Sequence, residues 1–221
     1  MTLYEDKPFE YYRSVRIDIL GALQNAPFKK VLELGAGGCN TLAYMKEKKL
    51  AEEVTAVELF DLPGSNQQNP VIDKLIIGDV GLLDTFDVKQ NYYDLIICGD
   101  VLEHTYSPWE IVEKARKLLT SDGILICSLP NFRFFRNMQK IFFKGDFSYT
   151  TEGTLDKTHI RFFCKRNLVQ LFEGTGYKVK KIEPGFYFNQ IERKRKTINK
   201  LTFGLFEEFL AFQYIIQVTK G

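Results

Sequence analysis

The chain has 221 residues, 45% hydrophobic and 26% charged, with a formal net charge of +2. That composition excludes a disordered chain, and near-neutrality argues against a dedicated nucleic-acid binder, which would be strongly basic. No stretch approaches roughly 18 uncharged apolar residues and the N-terminus lacks an apolar leader core, so neither a membrane span nor a signal peptide is expected.

Short apolar runs alternate with helical patterns from residue 31 onward. The run 31–34 reads as a strand ending at Gly35, and 41–50 as an amphipathic helix. Strands are expected at 54–57, at 75–77 before Gly78 and Asp79, and at 95–98 before Gly99 and Asp100. Ser107, Pro108 and Glu110 spell a capping box at a helix start, and Ser121, Asp122 and Gly123 close that helix. Residues 124–129 form the fifth apolar run. This alternation predicts an α/β fold, a parallel sheet with helices on both faces.

The pattern changes beyond Pro130. Residues 131–163 mix Phe132, Phe134, Phe135, Phe142, Phe143, Phe147 and Tyr149 with Arg133, Arg136, Lys140 and Lys144. The segment is too long for a βα loop. It is read as a lid insert over the C-terminal edge of the sheet. Nucleic-acid stacking is the rival use, disfavoured because no aromatic spacing repeats. A helix at 168–172, a break at Gly174 and Gly176, and strands at 177–182 and 212–219 complete one domain over 1–221. The run Arg193, Lys194, Arg195, Lys196 is a solvated face, or a contact for an anionic substrate or membrane surface.

Cys39, Cys98, Cys127 and Cys164 form no CxxC pair, and only His104 and His159 could join them, at the wrong spacing for zinc. No metal is expected, and free thiols in apolar runs suit a reducing, cytoplasmic compartment.

The chemistry concentrates at strand ends. In VLELGAGGC, residues 31–39, a buried strand delivers Glu33, Gly35 and Gly37 to a tight turn before a helix. A dinucleotide fingerprint would need glycine at position 40, which is Asn40. Glu33 is also a poor neighbour for a pyrophosphate and suits a cationic ligand. Glu58, ending the second strand, can accept both hydroxyl protons of a ribose or simply be a solvated strand end. Asp79 and Val80 offer a carboxylate and an amide to an adenine ring, or a turn before Gly81. Asp100, Glu103 and His104 follow the fourth strand.

ELGAGG, VELF, GDV, YDLIICGDVLEH and LLTSDGILICSLPN, in this order and spacing, resemble the successive motifs of class I S-adenosylmethionine (SAM) dependent methyltransferases. TLDKTHIRFF and FQYII resemble the bacterial type 23 subgroup, and the resemblance spans about residues 11–219. It implies a Rossmann-like seven-stranded sheet whose last strand, FQYIIQVT, runs antiparallel beside the fifth. SAM would be the cofactor and S-adenosylhomocysteine the product. Gly35, Gly37 and Glu33 would face its methionine part, Glu58 the ribose, and Asp79 and Val80 the adenine, with Asp100 nearby. Tyr12 or Arg16 would touch the cofactor. Cys39 departs from a frequent third glycine and leaves the turn geometry open.

The acceptor is expected to be a small molecule, a sugar or other metabolite bearing a hydroxyl or amine. His104 is the first candidate general base, His159 the second, and Arg161 a carboxylate or phosphate anchor. Two rivals stay open: a non-catalytic SAM-binding module and a nicotinamide-dependent oxidoreductase.

Overall fold

The structure is a computed structural model that describes residues 14–24, 26–186 and 190–221, with the side chains of 190–193 left aside. Seven strands form one sheet: β1 Phe28–Leu34, β2 Ala51–Glu58, β3 Lys74–Ile77, β4 Tyr93–Gly99, β5 Leu119–Pro130, β6 Tyr177–Gly185 and β7 Gln213–Lys220. Their order is β3-β2-β1-β4-β5-β7-β6. The first five pair in parallel, and β7 runs antiparallel to both β5 and β6. The expected strands are all present, most of them longer than their apolar runs.

Alternation along each strand builds two core layers. Leu32, Leu34, Ile96, Cys98 and Cys127 pack against α3 (Pro108–Leu118) and α5 (Lys165–Gly174). Val31, Val54, Ala56, Leu95 and Ile97 pack against α1 (Ile17–Ala22) and α2 (Asn40–Glu47). Helices thus cover both faces. Strand order reverses between β1 and β4, which opens a crevice at the strands' C-terminal ends, where ligands of open α/β sheets bind.

Three local expectations change. Helix α2 stops at Glu47, three residues early, because Lys49 turns left-handed (φ 56°) and the Leu50 amide donates to the Met45 carbonyl. Helix α3 begins at Pro108 as expected, but Ser107 makes no side-chain cap; it lines the cavity described below. The same helix ends at Leu118, since Leu119 already pairs with Tyr93, and Ser121–Gly123 belong to β5.

The aromatic insert contains α4 (Phe135–Lys144), closed by Gly145 at φ +61°. An Asn131–Phe163 bridge closes its base, and the Asn131 amide donates to the carbonyls of Glu208 and Ala211. Helices α6 (Gln190–Leu201) and α7 (Glu207–Leu210) follow β6.

Candidate functional site

A cavity of about 700 Å³ occupies the crevice between β1 and β4, a size ordinary for a small-molecule site. Its wall includes Arg16, Glu33, Gly35, Gly37, Glu58, Asp79, Val80 and Asp100, and continues through His104, Thr105, Tyr106, Ser107 and Glu110. The seven residues expected at the cofactor, and His104, therefore share one cavity. His159 and Arg161 are absent from its lining.

Glycine turns open this space. Gly35 sits at φ +69° and Gly37 at φ +53°. A Cβ on Gly35 would stand 2.3 Å from Val101 Cγ2, so only glycine fits. Cys39 is itself left-handed at φ 59° and fully buried, which shows the geometric demand at that position.

Glu33 shares the β1 face of Val31 and is buried. A hydrogen bond from Thr41 reaches it, yet its Oε2 has no partner among the described residues. Burial pushes its carboxyl up to about 8, against the opposing pull of Arg16. A dry, half-satisfied carboxyl facing a cavity is costly unless a cationic donor completes it.

Glu58 is committed to the backbone. Its Oε2 accepts the Gly37 amide at 2.6 Å, and its Oε1 accepts the Leu59 and Phe60 amides at 2.8 and 3.4 Å. That uses most of its acceptor capacity and leaves one lone pair on Oε2 for a ligand hydroxyl, fewer than the two hydroxyls read from the sequence. Burial nevertheless raises its pKa, because desolvation outweighs the three amides.

Asp79 caps the 3-10 turn Val80–Thr85 and accepts the Gly81 amide at 2.7 Å. It is a turn aspartate and a cavity residue at once. Asp100, at φ 54°, accepts Arg16 Nη1 at 2.8 Å and the Ser128 hydroxyl at 2.7 Å.

His104 ends the 3-10 turn Leu102–His104. Its Nδ1 meets the Thr158 carbonyl at 3.1 Å. A carbonyl only accepts, so Nδ1 carries the proton and the lone pair lies on Nε2. Burial, helped by His159, lowers its pKa to about 4. His159 lies behind it, ring centroids 4.7 Å apart, with Nδ1 at the Thr154 carbonyl and Nε2 4.0 Å from Glu103. One ligand atom from each of Glu103, His104 and His159 lies within 4.8 Å of the others, a grouping with metal-ligating chemistry that cysteine spacing did not suggest. Glu103 is buried with neither oxygen in a hydrogen bond among the described residues, and burial pushes its carboxyl well up.

Arg161 is spent on structure. It donates twice to the Tyr106 carbonyl, at 3.1 and 2.6 Å, and lies over Trp109. The Glu103 carbonyl accepts both the Ile160 and Arg161 amides. The insert therefore reaches the site through the β4–α3 loop and supplies none of the cavity-lining side chains.

Two contributors went unread in the sequence. Gln67 donates to the Gly37 and Phe60 carbonyls and accepts the Leu62 amide, clamping the glycine turn to the β2–β3 loop. Ser128 bridges Arg16 and Asp100 from β5. Gln67 lies in no motif, and Ser128 lies within LLTSDGILICSLPN without any signal that marks its side chain. Tyr12 lies outside the described residues.

A family described as a methyltransferase domain matches residues 6–182. A ubiquinone biosynthesis O-methyltransferase of Actinobacillus pleuropneumoniae is 28% identical over 133 residues, covering 57% of this chain and 56% of that protein. The match thus spans little more than half of that relative's length. A SAM-dependent methyltransferase from Archaeoglobus fulgidus superposes with a TM-score of 0.64 at 15% identity, covering 96% of this chain and 95% of that one. A Burkholderia thailandensis N1-methyltransferase, solved with its acceptor and S-adenosylhomocysteine, gives 0.57 at 14% identity, covering 98% and 79%.

Proposed function

This chain belongs to the methyltransferase-domain family, and from that premise we propose that it is a SAM-dependent methyltransferase acting on a small-molecule hydroxyl. The observation that carries the proposal is the single cavity running from the acidic strand ends to His104. The partial match to an O-methyltransferase supports oxygen as the acceptor atom. The four free thiols support a cytoplasmic setting.

SAM supplies an electrophilic methyl on a sulfonium centre. The chain binds and orients. Glu33 would take the ligand's ammonium, Gly35 and Gly37 would let it approach the backbone, Glu58 would accept a ribose hydroxyl, and Asp79 with the Val80 amide would hold adenine. His104 would accept the acceptor's proton at Nε2. His159 and Arg161 would act as positioning residues, holding the His104 wall from behind. Asn40 and the buried Glu33 weigh against a nicotinamide dinucleotide.

Glu33 makes cofactor binding pH-dependent. Its carboxyl, up at about 8, holds a proton at pH 7, and a cationic group beside it would expel that proton. Calorimetric SAM titrations in buffers of different ionisation enthalpy are expected to show roughly one proton released per SAM at pH 7, and none well above pH 8. Affinity should rise by up to about tenfold per pH unit below pH 8 and then level. Glu33→Gln should abolish the release; an unchanged proton count in that variant would remove Glu33 from the site.

The activity is tested with methyl-labelled SAM and a panel of phenols, glycosides and amines. Label should enter a hydroxyl compound. His104→Ala should lower the rate by about 10²- to 10⁴-fold while SAM affinity stays within a factor of a few. Because burial lowers the His104 pKa to about 4, the wild-type rate at saturating SAM should be flat from pH 6 upward and fall as pH drops toward 4. SAM binding without transfer to any acceptor would favour the non-catalytic module, and transfer to amines alone would replace the hydroxyl reading.

A further inference from the structure

One corner of the molecule, where α4 and α6 meet and no side chain lines the cavity, is both apolar and basic. On α4, Phe142 is 84% and Phe143 80% exposed; after α6, Phe203 is 98% and Leu205 78% exposed. Monomeric proteins rarely show such apolar groups together. Along α4, Phe135, Phe142 and Phe143 fall at i, i+7 and i+8 on one stripe. Arg136, Lys140 and Lys144 fall at i, i+4 and i+8 on the stripe beside it. Asn137 marks the buried side. Helices α4 and α6 meet at the start of α4, where the Arg195 guanidinium lies over Phe134 and Phe135 at 4.8 and 5.5 Å; beside them Arg133 pairs with Glu208 and covers Phe209 at 4.7 Å.

Charge follows the same segments. Residues 135–144 carry +3 and residues 190–206 carry +4, while the whole chain carries +2, so everything else sums to −5. The cavity end, lined by Glu33, Glu58, Asp79, Asp100 and Glu110, is the acidic part.

We propose that this corner docks the protein on the surface of an anionic lipid bilayer. Phe142, Phe143, Phe203 and Leu205 enter the headgroup boundary, and Arg136, Lys144, Lys194 and Lys200 face lipid phosphates. Apolar stripes flanked by basic ones are the chemistry of interfacial helices. No helix among the described residues is long and apolar enough to cross a membrane, so attachment is peripheral. A second copy is a poor occupant, because a two-fold contact would set the basic face against itself. Nucleic acid would use the charge and stack bases on the exposed phenylalanines, but Leu201 and Leu205, 72% and 78% exposed, would be left unused by it and are covered by a lipid boundary.

The full chain is sedimented with phosphatidylcholine vesicles, alone or mixed with phosphatidylglycerol, at about 0.1 M salt. It should pellet with the anionic vesicles only. Phe142→Ser/Phe143→Ser, and separately Phe203→Ser/Leu205→Ser, should each weaken that partition at least about tenfold. Arg136→Glu/Lys144→Glu should remove the preference for phosphatidylglycerol. SAM binding should be unchanged in all three, which separates this surface from the cavity. Failure of the wild type to pellet, equal pelleting with both vesicles, or pelleting unchanged by the substitutions would each overturn the proposal. So would loss of RNA binding or of self-association by the same variants in place of lipid binding.

Discussion

Arg16→Met is expected to destabilise the fold by about 1–3 kcal/mol, the penalty for leaving part-buried polar groups without their partner. Arg16 reaches three groups from the N-terminal side of α1. Its Nη1 donates to Asp100 at 2.8 Å, its Nε and Nη2 donate to Asp18 at 3.0 and 2.7 Å, and Nη2 also donates to Ser128 at 2.8 Å. Burial alone would weaken its charge, but Asp100 and Asp18 more than offset that and hold its pKa above the ordinary arginine value. Burial likewise pushes the Asp18 carboxyl up, and the Arg16 hydrogen bond reverses it to a net depression.

Asp18 fixes the sign of the pH dependence. A depressed carboxyl contributes stability above its unfolded pKa, near 3.9, and loses it as pH falls through the folded value. Urea unfolding of the wild type should therefore weaken in acid below about pH 4. Arg16→Met should lose that component and lie lower at neutral pH. Arg16→Met/Asp18→Asn should regain part of the loss, since one of the two stranded carboxylates is gone. A loss under about 1 kcal/mol in the single variant would mean the network is a surface decoration.

Gly35→Ala is expected to weaken SAM binding at least about 100-fold in a chain that still folds. Two costs meet at this atom. The residue holds φ +69°, which costs an L side chain about 1–2 kcal/mol. The added methyl would also overlap Val101 Cγ2 at 2.3 Å, and forcing such overlap typically costs about 1–3 kcal/mol. The backbone relieves both by moving the turn, and that turn forms the cavity wall together with Asp100 and Val101. Gly35→Ala/Val101→Ala should recover the overlap share and not the dihedral share. Full recovery in the double variant would show that φ at Gly35 is irrelevant, and no recovery would show that Val101 is.

The sheet and the cavity wall at the strand ends were legible in the sequence for one reason. In a parallel sheet every strand runs the same way, so the residue ending each apolar run arrives at the same edge. Glu33, Gly35, Glu58, Asp79 and Asp100 are such residues, and their relative placement needs only strand order. Helix ends were less legible. The stop of α2 depends on Lys49 adopting a left-handed turn, and the stop of α3 on Leu119 pairing with Tyr93. A Ser-x-x-Glu pattern suggested a cap that Ser107 does not make.

The region around His104 divides differently. His104 follows β4 directly and lines the cavity, as strand-end reasoning can foresee. His159 and Arg161 come from an insert about 55 residues further on. They meet the His104 loop from outside, where carbonyls of Tyr106 and Glu103 anchor the insert. Their residue types fit catalysis as well as anchoring, and only position distinguishes the two.

By itself the sequence determined what local periodicity and strand polarity control: seven strands, helices on both faces, a glycine turn after β1, and a row of carboxylates at one edge. The tertiary structure alone decided which groups oppose one another across the chain. Arg16 meets Asp100 across 84 positions and Ser128 across 112, and His159 backs His104 rather than the cavity. Periodicity is a property of a few neighbouring residues, whereas a buried charge or hydrogen bond takes its partner from whatever the packed layers bring within about 3 Å.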